Sequence, residues 1–151
     1  MYKKLVPLII LIIVVFVVIS YYSYPISIQR VIESYKSIER IDVDYLSEGE
    51  VKSYIVHFDQ ATHFKDLISI LDSTSYTHEY RGKYKGTFNR VMKITTFYRN
   101  ANNEFDNFSI ELTEDGELLI KNKLYQMNKR ENEIFNQLYD WIINKGEQMN
   151  S

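Results

Sequence analysis

The sequence has no cysteine and few turn-forming residues, with five glycines and two prolines in 151 positions. Without cysteine, disulfide frameworks, thiolate metal sites and thiol catalysis are excluded. The glycines form no dinucleotide-binding, phosphate-loop or nucleophile-elbow motif, so these nucleotide-binding and hydrolase chemistries have no sequence support. A large excess of one charge is also lacking: 18 basic and 20 acidic residues give a net charge of -2, which argues against a bulk nucleic-acid binder. A chain of this length has room for one domain.

What the sequence does have is one apolar run near its beginning. Residues 5–19 carry no polar side chain, and Ser20, Tyr21 and Tyr22 extend the run. A helix of about 18 residues rises about 27 Å, close to the thickness of the hydrocarbon core of a bilayer. Lys3 and Lys4 favour a cytoplasmic N-terminus and an exported C-terminus. We therefore predict a transmembrane signal anchor at 1–24, in contact with the lipid bilayer through residues 5–22.

Other interpretations of the apolar run have less support. A cleaved secretory signal has the same charged start, but it ends at a small-x-small site, and residues 18–23 supply no good one. A lipoprotein anchor needs a cysteine, and a buried core helix would carry polar residues on one face. A single-pass membrane protein is the favoured interpretation, with cleavage as the alternative.

The rest of the chain predicts one α+β domain. Residues 25–38 have apolar side chains at helical spacing and many β-branched residues, which predicts a stalk or an amphipathic helix. Alternating patterns predict strands at 41–45, 51–58, 92–98, 108–112 and 118–127, with a short edge strand at 76–80. Helical periods occupy 64–71 and 134–142. We expect 39–146 to form an exported antiparallel sheet of five or six strands packed on one face by two helices, followed by a tail at 147–151.

Two finer predictions concern this domain. Asn128 and Glu131 match a capping box with Asn in place of Ser or Thr, so Asn128 is expected to cap the last helix. The second face of the sheet is expected to face water. Its polar residues would be Asp42, Asp44, Lys93, Thr95, Ser109, Glu111, Lys121 and Lys123.

The titratable residues show no catalytic or metal-ligating pattern. His57, His63 and His78 lack the spacing of metal ligands. Asp42 and Asp44 share one strand face, but nothing in the sequence separates their environments as acid–base catalysis requires. A solvated hairpin face is the favoured interpretation of this acidic pair. We expect a non-enzymatic domain with no cofactor and no metal.

Basic and aromatic residues alternate in the segment 79–99. Cations neutralise phosphates while rings stack on a ligand, which is how proteins hold single-stranded polyanions. An exported domain would meet an anionic envelope polymer or lipid headgroups rather than nucleic acid. The candidate anion-binding residues are Arg81, Lys83, Lys85, Arg90 and Lys93. A solvated loop followed by the wet face of a strand is the favoured alternative.

The composition is rich in Ile, Lys, Asn, Tyr and Phe, whose codons are AT-rich. With the lysine-tagged anchor, the THFKDLISIL segment at 62–71 and the turn at Asp115 and Gly116, the chain resembles small membrane-anchored proteins of unknown function from low-GC Gram-positive bacteria (Firmicutes). The resemblance implies no catalytic residue. The leading hypothesis is an extracytoplasmic domain that binds a cell-envelope partner in a sensor, immunity or assembly role. Anion binding through 80–99 is the alternative, and an envelope hydrolase is the second alternative.

Overall fold

The computed structural model describes residues 5–32, 38–57, 62–80, 88–100 and 102–149. The chain begins with an apolar α-helix, α1 (Leu5–Ser23). Within it, Val6–Ser23 has a mean hydropathy of 2.7, and none of this stretch is buried against the rest of the protein. In the described ranges α1 is the one helix long and apolar enough to cross a membrane, a property that signal sequences share.

Within the described residues, eight antiparallel strands form a single sheet. They are β1 (Ile38–Ser47), β2 (Glu50–His57), β3 (Tyr76–His78), β4 (Arg90–Arg99), β5 (Phe105–Thr113), β6 (Glu117–Ile120), β7 (Lys123–Met127) and β8 (Glu147–Gln148). Their spatial order is β3-β7-β6-β5-β4-β1-β2-β8, so β3 and β8 are the two edges. The predicted antiparallel α+β architecture is confirmed, but the predicted number of five or six strands is wrong.

Two features account for the additional strands. Residues 118–127, predicted as one strand, form β6 and β7, because Lys121 and Asn122 make a two-residue turn with φ of 49° and 62°. Such a tight hairpin turn needs positive φ at both central residues, and asparagine tolerates this better than most residues. The second feature is β8, which falls within the predicted tail and pairs with Tyr54 and Ile55 of β2.

One face of the sheet carries the hydrophobic core. Along β1, the side chains of Ile41, Val43 and Tyr45 are buried and alternate with less buried polar ones, as the period of two requires. This face is covered by the helices α2 (Thr62–Leu71) and α3 (Glu131–Lys145). Both bury an apolar stripe in the core, formed by Leu67, Leu71, Ile134, Phe135, Leu138, Trp141 and Ile142. We call the opposite face of the sheet the open face.

The segment that follows α1 also packs into this core. Ile26 and Tyr76 exchange backbone hydrogen bonds of 2.8 and 2.9 Å, which places residue 26 beside the edge strand β3. A 3₁₀ turn follows at Ile28–Arg30, and the side chains of Ile28 and Ile32 are buried in the core. The described part of the segment predicted as a stalk or amphipathic helix, 25–32, is therefore integral to the domain, and residues 33–37 lie outside the described residues.

The connection between β7 and α3 differs from the predicted capping box. The helix begins at Glu131 after Arg130, whose φ is 66°, and no side-chain hydrogen bond caps it there. Asn128 instead donates from Nδ2 to Ser75 Oγ at 2.8 Å and accepts from Thr77 Oγ1 at 3.3 Å. Asn128 thus joins the end of β7 to β3.

Candidate functional site

The structure places the two described members of the predicted anion-binding set on opposite faces of β4. Arg81, Lys83 and Lys85 lie outside the described residues. Arg90 and Lys93 are separated by an odd number of positions on one strand, so their side chains point to opposite faces of the sheet. The structure therefore does not bring Arg90 and Lys93 together on one surface.

Arg90 is engaged in contacts within the domain. Its Nε donates to Glu114 Oε2 at 2.8 Å, and its Nη1 donates to Asn136 Oδ1 at 3.1 Å. Its guanidinium carbon lies 5.0 Å from the centroid of the Phe135 ring. The hydrogen bond from Arg90 lowers the pKa of Glu114, and the backbone N–H of Asn89 lowers this pKa further. Arg90 thus joins the start of β4 to the turn after β5 and to α3.

Lys93 belongs to the open face, where polar residues form rows across the strands. In one row it stands opposite Asp44 of β1 and Glu111 of β5. In the next row Thr95 stands between Asp42 and Ser109, and the Thr95 and Ser109 hydroxyls are 3.0 Å apart. All six of these residues were predicted for the wet face. The other two, Lys121 and Lys123, lie in the β6–β7 turn and at the start of β7.

The acidic pair on β1 has partners within the sheet. Asp42 is ion-paired with Arg40, whose Nε lies 2.8 Å from Asp42 Oδ1. Asp44 Oδ1 accepts a hydrogen bond of 2.7 Å from Ser53 Oγ. Asp44 is exposed, whereas Asp42 is half-buried, and each side chain is engaged with a neighbour on the sheet.

The histidines of the described strands are far apart. His57 ends β2 and His78 ends β3, and these strands lie at opposite sides of the sheet. The side chain of His63 lies outside the described residues. In the described part of the chain, no group of three or more His, Asp or Glu side chains is placed to hold a metal ion.

One end of the open face carries two arginines stacked on two phenylalanines. The guanidinium carbon of Arg40 lies 4.6 Å from the centroid of the Phe97 ring, and that of Arg99 lies 4.0 Å from the centroid of the Phe105 ring. We call these four residues the arginine–phenylalanine patch. Cation–π contacts of this kind stabilise by about 0.5–1 kcal/mol at exposed sites. The patch is therefore a set of long side chains with restricted conformations.

A break in strand register shapes the patch. The pairing of β1 with β4 shifts between Ile38 and Arg40, so Glu39 lies at the shift. Its Oε1 accepts a hydrogen bond of 2.6 Å from Arg99 Nε. A cleft of about 610 Å³ opens here, lined also by His57, Asp106 and Asn107. The side chain of Phe105 is 64 % exposed beside it.

Phe97 lies within the segment 79–99 in which basic and aromatic residues were noted, whereas Phe105 was not predicted as a site residue. The alternation of side chains along β5 could have indicated Phe105 as a site residue. Phe105 is separated by even numbers of positions from Asn107 and Ser109, so its side chain lies with theirs on the polar face of β5. A large aromatic side chain on a polar face is informative, because apolar residues of a two-layer domain are expected on the covered face.

Comparison of the chain with models of protein families, with curated protein sequences and with solved structures finds no significant match.

Proposed function

We propose that the chain is a single-pass membrane protein of a low-GC Gram-positive bacterium, and that its non-enzymatic extracytoplasmic domain binds a protein of the cell envelope. The observation that carries the proposal is the arginine–phenylalanine patch, in which the Phe105 side chain is exposed and contacts Arg99. Sensor, immunity and assembly roles all agree with such a domain.

The chemistry of the patch suits a protein partner. Arginine and aromatic residues are enriched at the centres of protein interfaces, where they account for much of the binding energy. Arg40 and Arg99 are each held between an aromatic ring and a carboxylate, from Asp42 and Glu39 respectively. Side chains that are ordered before binding lose less entropy when a partner arrives. The patch thus has both the composition and the preorganisation of an interface centre.

Membrane location and orientation rest on the beginning of the chain. The 19 residues of α1 span about 28 Å at 1.5 Å per residue, which matches the hydrocarbon core of a bilayer. Lys3 and Lys4 precede α1 and favour a cytoplasmic N-terminus. The domain after α1 is then extracytoplasmic, where an envelope protein can reach the patch.

Site-specific photocrosslinking in cells of the source organism tests the partner proposal. Benzoylphenylalanine at position 105 is compared with the same residue at position 51, because Val51 is 63 % exposed and lies at the far end of the open face, about 20 Å along β2. We expect a discrete protein adduct from position 105 that diminishes in Arg99→Gln, and none from position 51. Equal adducts from both positions, or none from position 105, would refute binding through the patch.

Orientation has its own test. An epitope tag after Ser151 is exposed to external protease in wall-stripped cells, and the membrane fraction is probed by immunoblot. We expect the full-length protein in membranes and loss of the tag. A tag that survives until the cells are lysed would place the domain in the cytoplasm and redirect the search for partners.

Anion binding through 80–99 and envelope hydrolysis stay predictions. The first depends on Arg81, Lys83 and Lys85, which lie outside the described residues. The second would need two of the acidic or histidine side chains to converge, and among the described residues Asp42 and Asp44 are engaged with Arg40 and Ser53.

A further inference from the structure

The end of α1 is docked onto the domain through aromatic contacts. The ring of Tyr21 stacks on His78 of β3, with centroids 4.3 Å apart and planes 9° from parallel. His78 in turn contacts the ring of Tyr125 of β7, with centroids 5.0 Å apart. These contacts fix the position of the last helical turn against the edge of the sheet.

Beside this contact is a cleft of about 410 Å³, which we call the juxtamembrane cleft. Its volume falls in the range of small-ligand sites. Three cationic residues and three aromatic ones line it, together with aliphatic side chains: Arg30, Lys121, Lys123, Tyr21, His78 and Tyr125. Among the described residues that line the cleft, none is acidic.

The three cations come from two elements, the 3₁₀ turn after α1 and the β6–β7 hairpin. Arg30 ends the 3₁₀ turn after α1, Lys121 lies in the β6–β7 turn, and Lys123 begins β7. Burial and the positive charge of Lys123 lower the pKa of His78, and both residues line the cleft. Arg30 and Lys123 thus bring positive charge from two elements to a cleft whose described lining includes no carboxylate, and such a cleft attracts an anion.

We propose that the juxtamembrane cleft binds the phosphate of an anionic phospholipid headgroup. The inference rests on the proposed membrane insertion of α1 and identifies a lipid ligand at the point where the domain meets the bilayer. It concerns residues other than the arginine–phenylalanine patch and other than the predicted set in 79–99.

The position of the cleft favours a lipid over a soluble ligand. Because α1 just spans the hydrocarbon core, its last turn lies at headgroup level, where tyrosine rings settle. Tyr21, Tyr22 and Tyr24 occupy this level, and Tyr22 makes an edge contact with Tyr80 of the domain, with centroids 6.5 Å apart. The cleft is lined by Tyr21 itself, so it opens beside the phosphates of the bilayer.

The test uses the full chain in a neutral detergent and counts bound lipid by native mass spectrometry. Phosphatidylglycerol is compared with phosphatidylcholine of the same acyl chains. The variant is Arg30→Gln/Lys123→Gln, whose two sites are exposed, and the control is Lys52→Gln/Lys145→Gln, which has the same net charge. The control positions lie away from α1, because Lys52 is on β2, near the opposite edge of the sheet, and Lys145 ends α3 beside it.

We expect wild-type protein to retain phosphatidylglycerol in preference to phosphatidylcholine. Each cation near an anionic lipid surface contributes about fivefold to binding, so the cleft variant should lose about thirtyfold in affinity for phosphatidylglycerol. The control should stay within about twofold of wild type. The folding of the cleft variant is checked by near-ultraviolet circular dichroism. An unchanged signal from Trp141, the single tryptophan, shows that the variant is folded.

The proposal is overturned if the wild-type protein retains the two lipids equally, or if the cleft variant retains as much phosphatidylglycerol as wild type. It is also overturned if the control variant loses as much affinity for phosphatidylglycerol as the cleft variant does. A fourth contrary result is that the protein binds inorganic phosphate, added at millimolar concentration, more tightly than it binds phosphatidylglycerol. The last result would assign the cleft to a soluble phosphate. Alkaline extraction of membranes from the same cells separates this proposal from the proposed function. A chain that stays in membranes but shows no lipid preference refutes the cleft alone, whereas a chain extracted without detergent refutes both.

Discussion

Replacing Ile28 by alanine tests whether the segment after α1 belongs to the folded core. The Ile28 side chain is 0 % exposed and packs in the same cluster as α2 and the sheet. Truncation to alanine removes buried methyl and methylene groups and leaves a cavity, which costs about 2–5 kcal/mol at such sites. If the segment were a free stalk, the same change would cost almost nothing.

The size of the effect is well above the error of an unfolding experiment. We take a loss of about 3 kcal/mol and a urea dependence of about 1.5 kcal/mol per M, a value within the range of small domains. The urea midpoint then falls by about 2 M. Trp141, the single tryptophan, lies in the core on α3, so its fluorescence reports unfolding of the domain while α1 stays in a detergent micelle.

The matched control is Ile143→Ala, which deletes the same atoms from a side chain that is 49 % exposed. We expect this control to change the free energy of unfolding by about 0.5 kcal/mol or less. Equal urea midpoints for Ile28→Ala and Ile143→Ala would refute this prediction, because the segment after α1 would then contribute nothing to the core.

Two further predictions use the same unfolding assay. The buried Tyr76 hydroxyl donates to the Leu71 carbonyl at 2.6 Å, so Tyr76→Phe should cost about 1–3 kcal/mol, and an unchanged midpoint would contradict this. The pKa of Glu114 is lowered by its hydrogen bond from Arg90, so the pair's contribution is complete above the unfolded pKa of about 4.3 and is lost as the pH falls below it. Glu114→Gln should remove about 1 kcal/mol of unfolding free energy at neutral pH. Between about pH 5 and pH 3, the unfolding free energy of this variant should fall less steeply than that of wild type. Equal slopes in the two proteins would show that Arg90 does not perturb the Glu114 carboxyl.

The helices and strands that could be predicted from the sequence are those that a local hydrophobic pattern determines. The apolar stripe of α3 and the alternation of β1 are examples, because each follows from burial on one side only. The hairpin at Lys121 and Asn122 escaped prediction, because a turn with positive φ at two non-glycine residues has no strong local signal. Arg130 and Asn128 show the same limit: the cap pattern was present, yet contacts with Ser75 and Thr77 decided where the Asn128 side chain went.

Candidate sites were harder to predict, because they depend on register between strands. The separation of Arg90 from Lys93 follows from strand parity and was available from the sequence. The meeting of Arg99 with Glu39 was not, because it depends on the shift in pairing between Ile38 and Arg40. The juxtamembrane cleft likewise requires Arg30 to come beside Lys123, which only the tertiary structure brings about.

The connection between α1 and the sheet is very short. Tyr24 and Pro25 alone lie between the end of α1 and Ile26, which is bonded to Tyr76, and two extended residues reach about 7 Å. With α1 in a bilayer, the domain is held at a constant height and rotates with its helix. A partner of the domain would then be bound close to the membrane surface, and a force or rotation applied to the domain would pass directly into α1.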